Sequence, residues 1–181
     1  MKHNRRSFIK LFAAMSGGVL LLPSCKGGID PWFRFLTAAE AKCIIALCEQ
    51  IIPADKDPGA TDAGVVYYID NQLGRYLSDK LPVYRKAIAT LQALVMEENN
   101  MRFEELSPDT QVGIMKKMEQ NNYYPDKWEE TSSSQFMRML VQHTMQGFYG
   151  PPRYGGNKDF VSYRILKLDY PLLIGQNRYN G

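Results

Sequence analysis

Few residues in this chain are of a type and spacing that could do chemistry. His143 sits in an apolar run of helical spacing, with no cysteine or acid placed to share a metal with it. A lone histidine of that kind reads first as a structural residue. Cys43 and Cys48 share a second helix-spaced run. Five residues at 100° each set them about 140° apart, with Cα atoms ~8–9 Å from one another, beyond disulfide reach. They are expected as buried thiols. No Cys-x-x-Cys-His is present, which excludes covalent c-type haem in this chain. Asp55, Asp57, Asp62 and Asp70 fall in turns and near helix starts, where carboxylates serve the backbone and the helix dipole. No Ser-His-Asp set, P-loop or dinucleotide glycine fingerprint occurs. No catalytic, cofactor-binding or metal-ligating set can be nominated.

The strongest local motif is Pro152-Arg153-Tyr154-Gly155-Gly156-Asn157, just after Tyr149. Paired glycines let a backbone turn tightly or approach another chain, and Arg and Tyr anchor interfaces. Tyr149, Arg153, Tyr154, Gly155, Gly156 and Asn157 are therefore a candidate partner surface. Two other readings stay open. One is a structural turn that packs Tyr154 onto the last helix. The other is an anion site, which needs a helix start behind it, and Asp159-Phe160-Val161 is only a faint helix signal.

The third cysteine has a different setting. Leu22-Pro23-Ser24-Cys25 resembles a lipoprotein cleavage box, which would leave Cys25 first in the mature chain with lipid on its sulfur. Two or more acyl chains give stable anchoring. Upstream, Arg5-Arg6-Ser7-Phe8-Ile9-Lys10 resembles the twin-arginine export motif. The apolar run Leu11–Leu22 is 12 residues long, short of the ~20 that span a bilayer, and reads as a signal-peptide core. Residues 1–24 are thus expected to be removed, and 25–35 to form a lipidated tether. The signal holds Lys2, Arg5, Arg6 and Lys10 and no acid. Removing these four from the 22 Lys+Arg leaves 18 against 19 Asp+Glu. The mature chain is near neutral, which argues against nucleic acid as a partner. A periplasm-facing membrane location is the expectation.

The elements that must position these residues are helices. Thr37-Ala-Ala-Glu40 is a capping box, followed by Ile44, Leu47, Cys48, Ile51 and Ile52 at helical spacing and stopped by Pro53. After a turn at residues 55–59, a second helix is expected to begin near Ala60 to Asp62, with Val65, Val66, Ile69 and Leu73 as its stripe. Tyr84, Ile88, Leu91 and Val95 mark a third, ended by Asn99-Asn100. Ser107-Pro108 opens a fourth through Val112, Met115 and Met118. Ser132 to Ser134 cap a fifth through Phe136, Met139, Leu140, His143 and Phe148. Beyond Gly150 the chain is rich in Gly, Pro and Tyr with little periodicity. One small all-α domain of about five helices, residues 36–181, with an irregular C-terminal segment, is predicted.

Several segments taken in order resemble a known family. They are Leu36–Glu40, Ile51-Ile52-Pro53-Ala54-Asp55, Pro58-Gly59-Ala60, Ala63–Asp70, Gly147-Phe148-Tyr149-Gly150 and Pro152–Asn157. The set is similar to the small subunit (subunit 3) of gluconate 2-dehydrogenase. That resemblance implies an accessory, non-catalytic role beside a large flavoprotein of the glucose–methanol–choline oxidoreductase type. The FAD would belong to that partner, which oxidises a sugar or sugar acid, and a cytochrome c subunit carrying haem c commonly takes the electrons. It also implies help in maturing the flavoprotein and in carrying it through the twin-arginine translocase. A rival reading is a stand-alone glycan-binding lipoprotein that uses its tyrosines and Trp32 or Trp128 as sugar platforms.

Overall fold

The computed structural model describes residues 33–168. Arg5, Arg6, Phe8, Cys25 and Trp32 lie outside the described residues. Those described form six helices and several single 3-10 turns, with no strand among them.

Helix α1 (Ala38–Ile51) starts where the capping box places it. Glu40 N donates to the Thr37 hydroxyl at 3.2 Å, and Thr37 N donates to the Glu40 carboxylate at 2.7 Å. Ala41, Cys43, Ile44, Leu47 and Cys48 are its buried stripe. Both cysteines are free and buried, as their spacing requires. Helix α2 is Val65–Leu73, a later start than the acids at 55–62 suggested. Residues 60–64 form turns instead, and Gly64 at φ 66° occupies the left-handed region that ends them. Asp62 stands before the helix, where its carboxylate accepts from Gly59 N at 3.0 Å.

Helix α3 (Leu81–Asn99) carries Pro82 in its first turn and ends on Asn100 at φ 52°. Helix α4 (Pro108–Glu119) begins on the Ser107 cap with Pro108 at its first position. Helix α5 (Ser133–Tyr149) begins on a second capping box, Ser132 with Gln135. After α5 the chain is more regular than its composition suggested. Turns at Pro152–Tyr154 and Lys158–Phe160 lead into a short α6 (Val161–Ile165).

Helices α1 and α5 are central: α5 packs against every other helix, and α1 against α2, α3, α4 and α5. Between them, Cys48 Sγ lies 3.2 Å from Thr144 Oγ1. The core joins Leu47, Ile69, Leu91, Phe136 and Leu140, all essentially without exposure. Full burial of side chains of this size contributes about 1.5–3 kcal/mol each.

Candidate functional site

The motif segments, scattered from residue 36 to residue 157 in sequence, are gathered around α2. On one side of α2 lies the lead-in coil, residues 33–37. The buried Asp70 accepts from Arg34 N at 2.9 Å, Phe35 N at 3.0 Å and Leu36 N at 2.8 Å. Three N–H groups that no helix satisfies are thereby matched by one carboxylate. The Phe35 ring lies over Gly74, where a Cβ would overlap it. Phe33 stacks on Tyr67 with centroids 5.2 Å apart. Arg85 donates to the Phe35 carbonyl at 2.8 Å.

On the other side lies the loop after α5. Gly155, at φ 106°, rests on the Tyr67 carbonyl and the Asn71 amide. Gly156 sits so close to the Gly147 carbonyl that no Cβ would fit. Asn157 has no exposure, and its amide nitrogen donates to the Gly150 carbonyl at 3.0 Å. Its amide oxygen accepts from Ser162 N at 2.9 Å. Lys158 N donates to Ala63 O at 3.0 Å. The paired glycines and Asn157 therefore hold the loop to its own domain.

Tyr149, Arg153 and Tyr154 do not take part in that seam and are exposed. The Arg153 guanidinium lies over the Tyr154 ring, 4.8 Å from its centroid, and donates to the Tyr154 hydroxyl at 3.0 Å. Of the six residues proposed for partner contact, these three present side chains outward. Gly156 and Asn157 are buried, so their part in any contact is to shape the loop.

The other candidates fall inside the core. His143 Nδ1 is 2.9 Å from the Tyr84 hydroxyl, and both residues are buried. Burial, aided by the charge of Lys80, lowers the His143 pKa below 6.5. Burial also raises Tyr84 well above its ordinary value. The Cys48 thiol is pushed up to about 12, chiefly by burial, and burial raises Cys43 in the same way. Such thiols stay protonated and are poor nucleophiles. Trp128 is buried and donates from Nε1 to Tyr123 O at 2.9 Å, so it offers no sugar platform. Of the adjacent tyrosines Tyr67-Tyr68 and Tyr123-Tyr124, one of each is exposed, Tyr67 and Tyr124. Tyr123 and Tyr124 both donate to Glu98, at 2.9 and 2.7 Å. No described group of three His, Cys, Asp or Glu is placed to hold a metal, and no described helix is long and apolar enough to cross a membrane.

Sequence reasoning missed Asp70 as an organising residue. The available signal was an acid directly beside the apolar stripe of α2, next to Ile69. It also missed the Tyr84–His143 pair, whose members lie 59 residues apart.

These observations define a class first: a small all-helical domain whose polar side chains are spent on holding its own peripheral segments, with an exposed Tyr/Arg edge. The family model described as gluconate 2-dehydrogenase subunit 3 matches residues 38–168, and the chain belongs to that family. It is thereby placed among the subunits of a gluconate 2-dehydrogenase-type complex. No curated protein and no solved structure matches it.

Proposed function

We propose that this chain is the non-catalytic small subunit of an FAD-dependent sugar or sugar-acid dehydrogenase. In this reading it is exported through the twin-arginine route together with its folded flavoprotein. It would assist that subunit's maturation and tether it to a periplasm-facing membrane through lipid on Cys25. The observation that carries the reading is the family match across most of the mature chain. The twin-arginine motif at Arg5-Arg6 and Phe8 supports co-export. A flavoprotein must receive FAD before it crosses, so it must cross folded, and one signal on a bound partner suffices. The flavin is assigned to the partner because the family resemblance places FAD in the large subunit. A cytochrome c subunit is one candidate electron acceptor.

The test is an affinity pull-down of the tagged protein from detergent-solubilised native membranes, read by mass spectrometry and flavin absorbance. A co-purifying yellow flavoprotein that lacks its own signal peptide is the expected result. A colourless, solitary chain would sink the reading and favour the glycan-binding alternative. Replacing Arg5 and Arg6 together by Lys should leave both subunits in the cytoplasm. Cys25→Ser should release the complex from the membrane without dissolving it.

A further inference from the structure

The outer face of α5 differs from every other long helix surface here. Val141, Met145 and Tyr149 recur every four residues and are 39%, 43% and 41% exposed. At 1.5 Å per residue they form an apolar ridge about 12 Å long. At its N-terminal end the ridge runs into a groove of about 490 Å³ between the end of α1, α4 and α5. Ile51, Met115 and Met137 line its floor, and Val141 forms part of its wall. At the other end the ridge reaches Tyr149, next to the exposed Arg153–Tyr154 edge.

Charge limits what can cover this surface. Residues 133–149 include no acid. The charged residues lining the groove are Lys116, Arg138 and Glu119, and Arg153 follows Tyr149 by four residues in sequence. None of the ion pairs among the described residues uses Lys116, Arg138 or Arg153. A second copy of this chain meeting the same face about a two-fold axis would bring only Glu119 from each copy against the two lining cations, leaving a positive excess. A bilayer surface is flat and cannot fill a recessed groove, whereas an amphipathic helix can. Methionines on the floor adapt their shape to such a helix.

We infer that the groove and ridge of α5 form the docking face for an amphipathic helix with an acidic flank, carried by the flavoprotein subunit. The inference rests on the accessory-subunit reading and adds to it the surface used. The apolar face of that helix would fill the groove, its acids would meet Lys116 and Arg138, and contact would continue along the ridge to Tyr149 and Tyr154.

The test places a photo-crosslinking amino acid, p-benzoylphenylalanine, at Val141 in the full-length chain in its native membrane. Tyr76, 78% exposed and belonging neither to α5 nor to the groove lining, serves as the control position. A crosslink to the flavoprotein from position 141 and not from position 76 is expected. If the flavoprotein co-purifies but position 141 yields no adduct, or an adduct only with a second copy of this chain, the docking face is wrong while the accessory reading stands. If no flavoprotein co-purifies with the unmodified chain, the parent reading fails and the docking face falls with it. As a second readout, the pair Val141→Glu and Met145→Glu should reduce recovered flavoprotein at least tenfold. The melting temperature of the chain should change by only a few degrees, since both side chains already stand about two-fifths exposed. Equal recovery from that double variant and from the parent chain would overturn the proposal.

Discussion

Two irregular stretches are each held by one buried polar side chain, Asp70 on α2 for the first and Asn157 within the loop for the second, and the two side chains are of different kinds. The lead-in coil, residues 33–37, presents three backbone N–H groups to the same point, and Asp70 meets them. The loop after α5 presents one carbonyl, from Gly150, and one N–H, from Ser162, and Asn157 meets those. A carboxylate only accepts, with about four lone-pair sites; an amide both donates and accepts. Each position thus has the residue its backbone partners demand. Asp and Asn have nearly the same shape, so exchanging them tests polarity rather than packing.

The larger effect should come from Asp70→Asn. An amide cannot accept on both arms, so its NH2 would face one or two of the three N–H donors. The loss of charge-assisted bonds at a buried site should cost about 3 kcal/mol. At ~3–4 °C per kcal/mol for a domain of this size, the melting temperature should fall on the order of 10 °C. Hydrogen exchange at residues 34–36 should rise in step. A variant that melts with the parent protein would show that the lead-in coil contributes nothing to stability.

The reciprocal exchange, Asn157→Asp, should cost less, about 2 kcal/mol. Only one donated bond is lost, though a carboxylate oxygen is then set against the Gly150 carbonyl. Gly156→Ala belongs with it, because the obstacle is the backbone of Gly147 and not a yielding side chain. Overpacking of that kind typically costs about 1–3 kcal/mol. Both variants can be ranked against Asp70→Asn by denaturant unfolding. A cost above that of Asp70→Asn would reverse the order drawn from the bond count.

How much of this was legible in the sequence follows from the distance between partners. Thr37 with Glu40, Ser107 with Pro108, and Ser132 are helix starts whose chemistry lies within four residues, and all three are where the sequence puts them. The apolar stripes of α1, α2 and α5 were readable for the same reason. The start of α2 was misjudged because acids at 55–62 suit a helix dipole equally well in a turn, and Gly64 decides the matter through its positive φ. Asp70 and its three donors lie 34 to 36 residues apart, so no local pattern joins them. The Pro152–Asn157 motif was visible, but only the packing of Gly156 on Gly147 divides its buried half from its exposed half.

A third buried polar group sharpens the comparison through pH. His143 is held neutral by burial, with its pKa below 6.5. The unfolded chain therefore binds the proton better, and stability is lost as pH falls through about 6.5 toward the folded value. Above that window the residue contributes no pH dependence. The effect should be smaller than either exchange, since the ring keeps its bond to Tyr84 while neutral. His143→Gln should flatten the difference in unfolding free energy between pH 7 and pH 5. An unaltered slope would mean that His143 protonates in the fold as readily as outside it.

The smallest effect should come from a group with no pin to hold. Ser162 Oγ is fully buried and has no hydrogen-bond partner among the described residues, although its own N–H is held by Asn157. A buried hydroxyl without a partner carries a desolvation cost of about 1 kcal/mol or more. Ala removes that cost, keeps the backbone bond to Asn157 and suits α6 better than Ser. Ser162→Ala should therefore be neutral or raise stability by up to about 1 kcal/mol, the opposite sign to the change at Asn157 one hydrogen bond away. Loss of stability in the melting curve would mean that the hydroxyl is bonded, and that the loop after α5 is held by two polar side chains rather than by Asn157 alone.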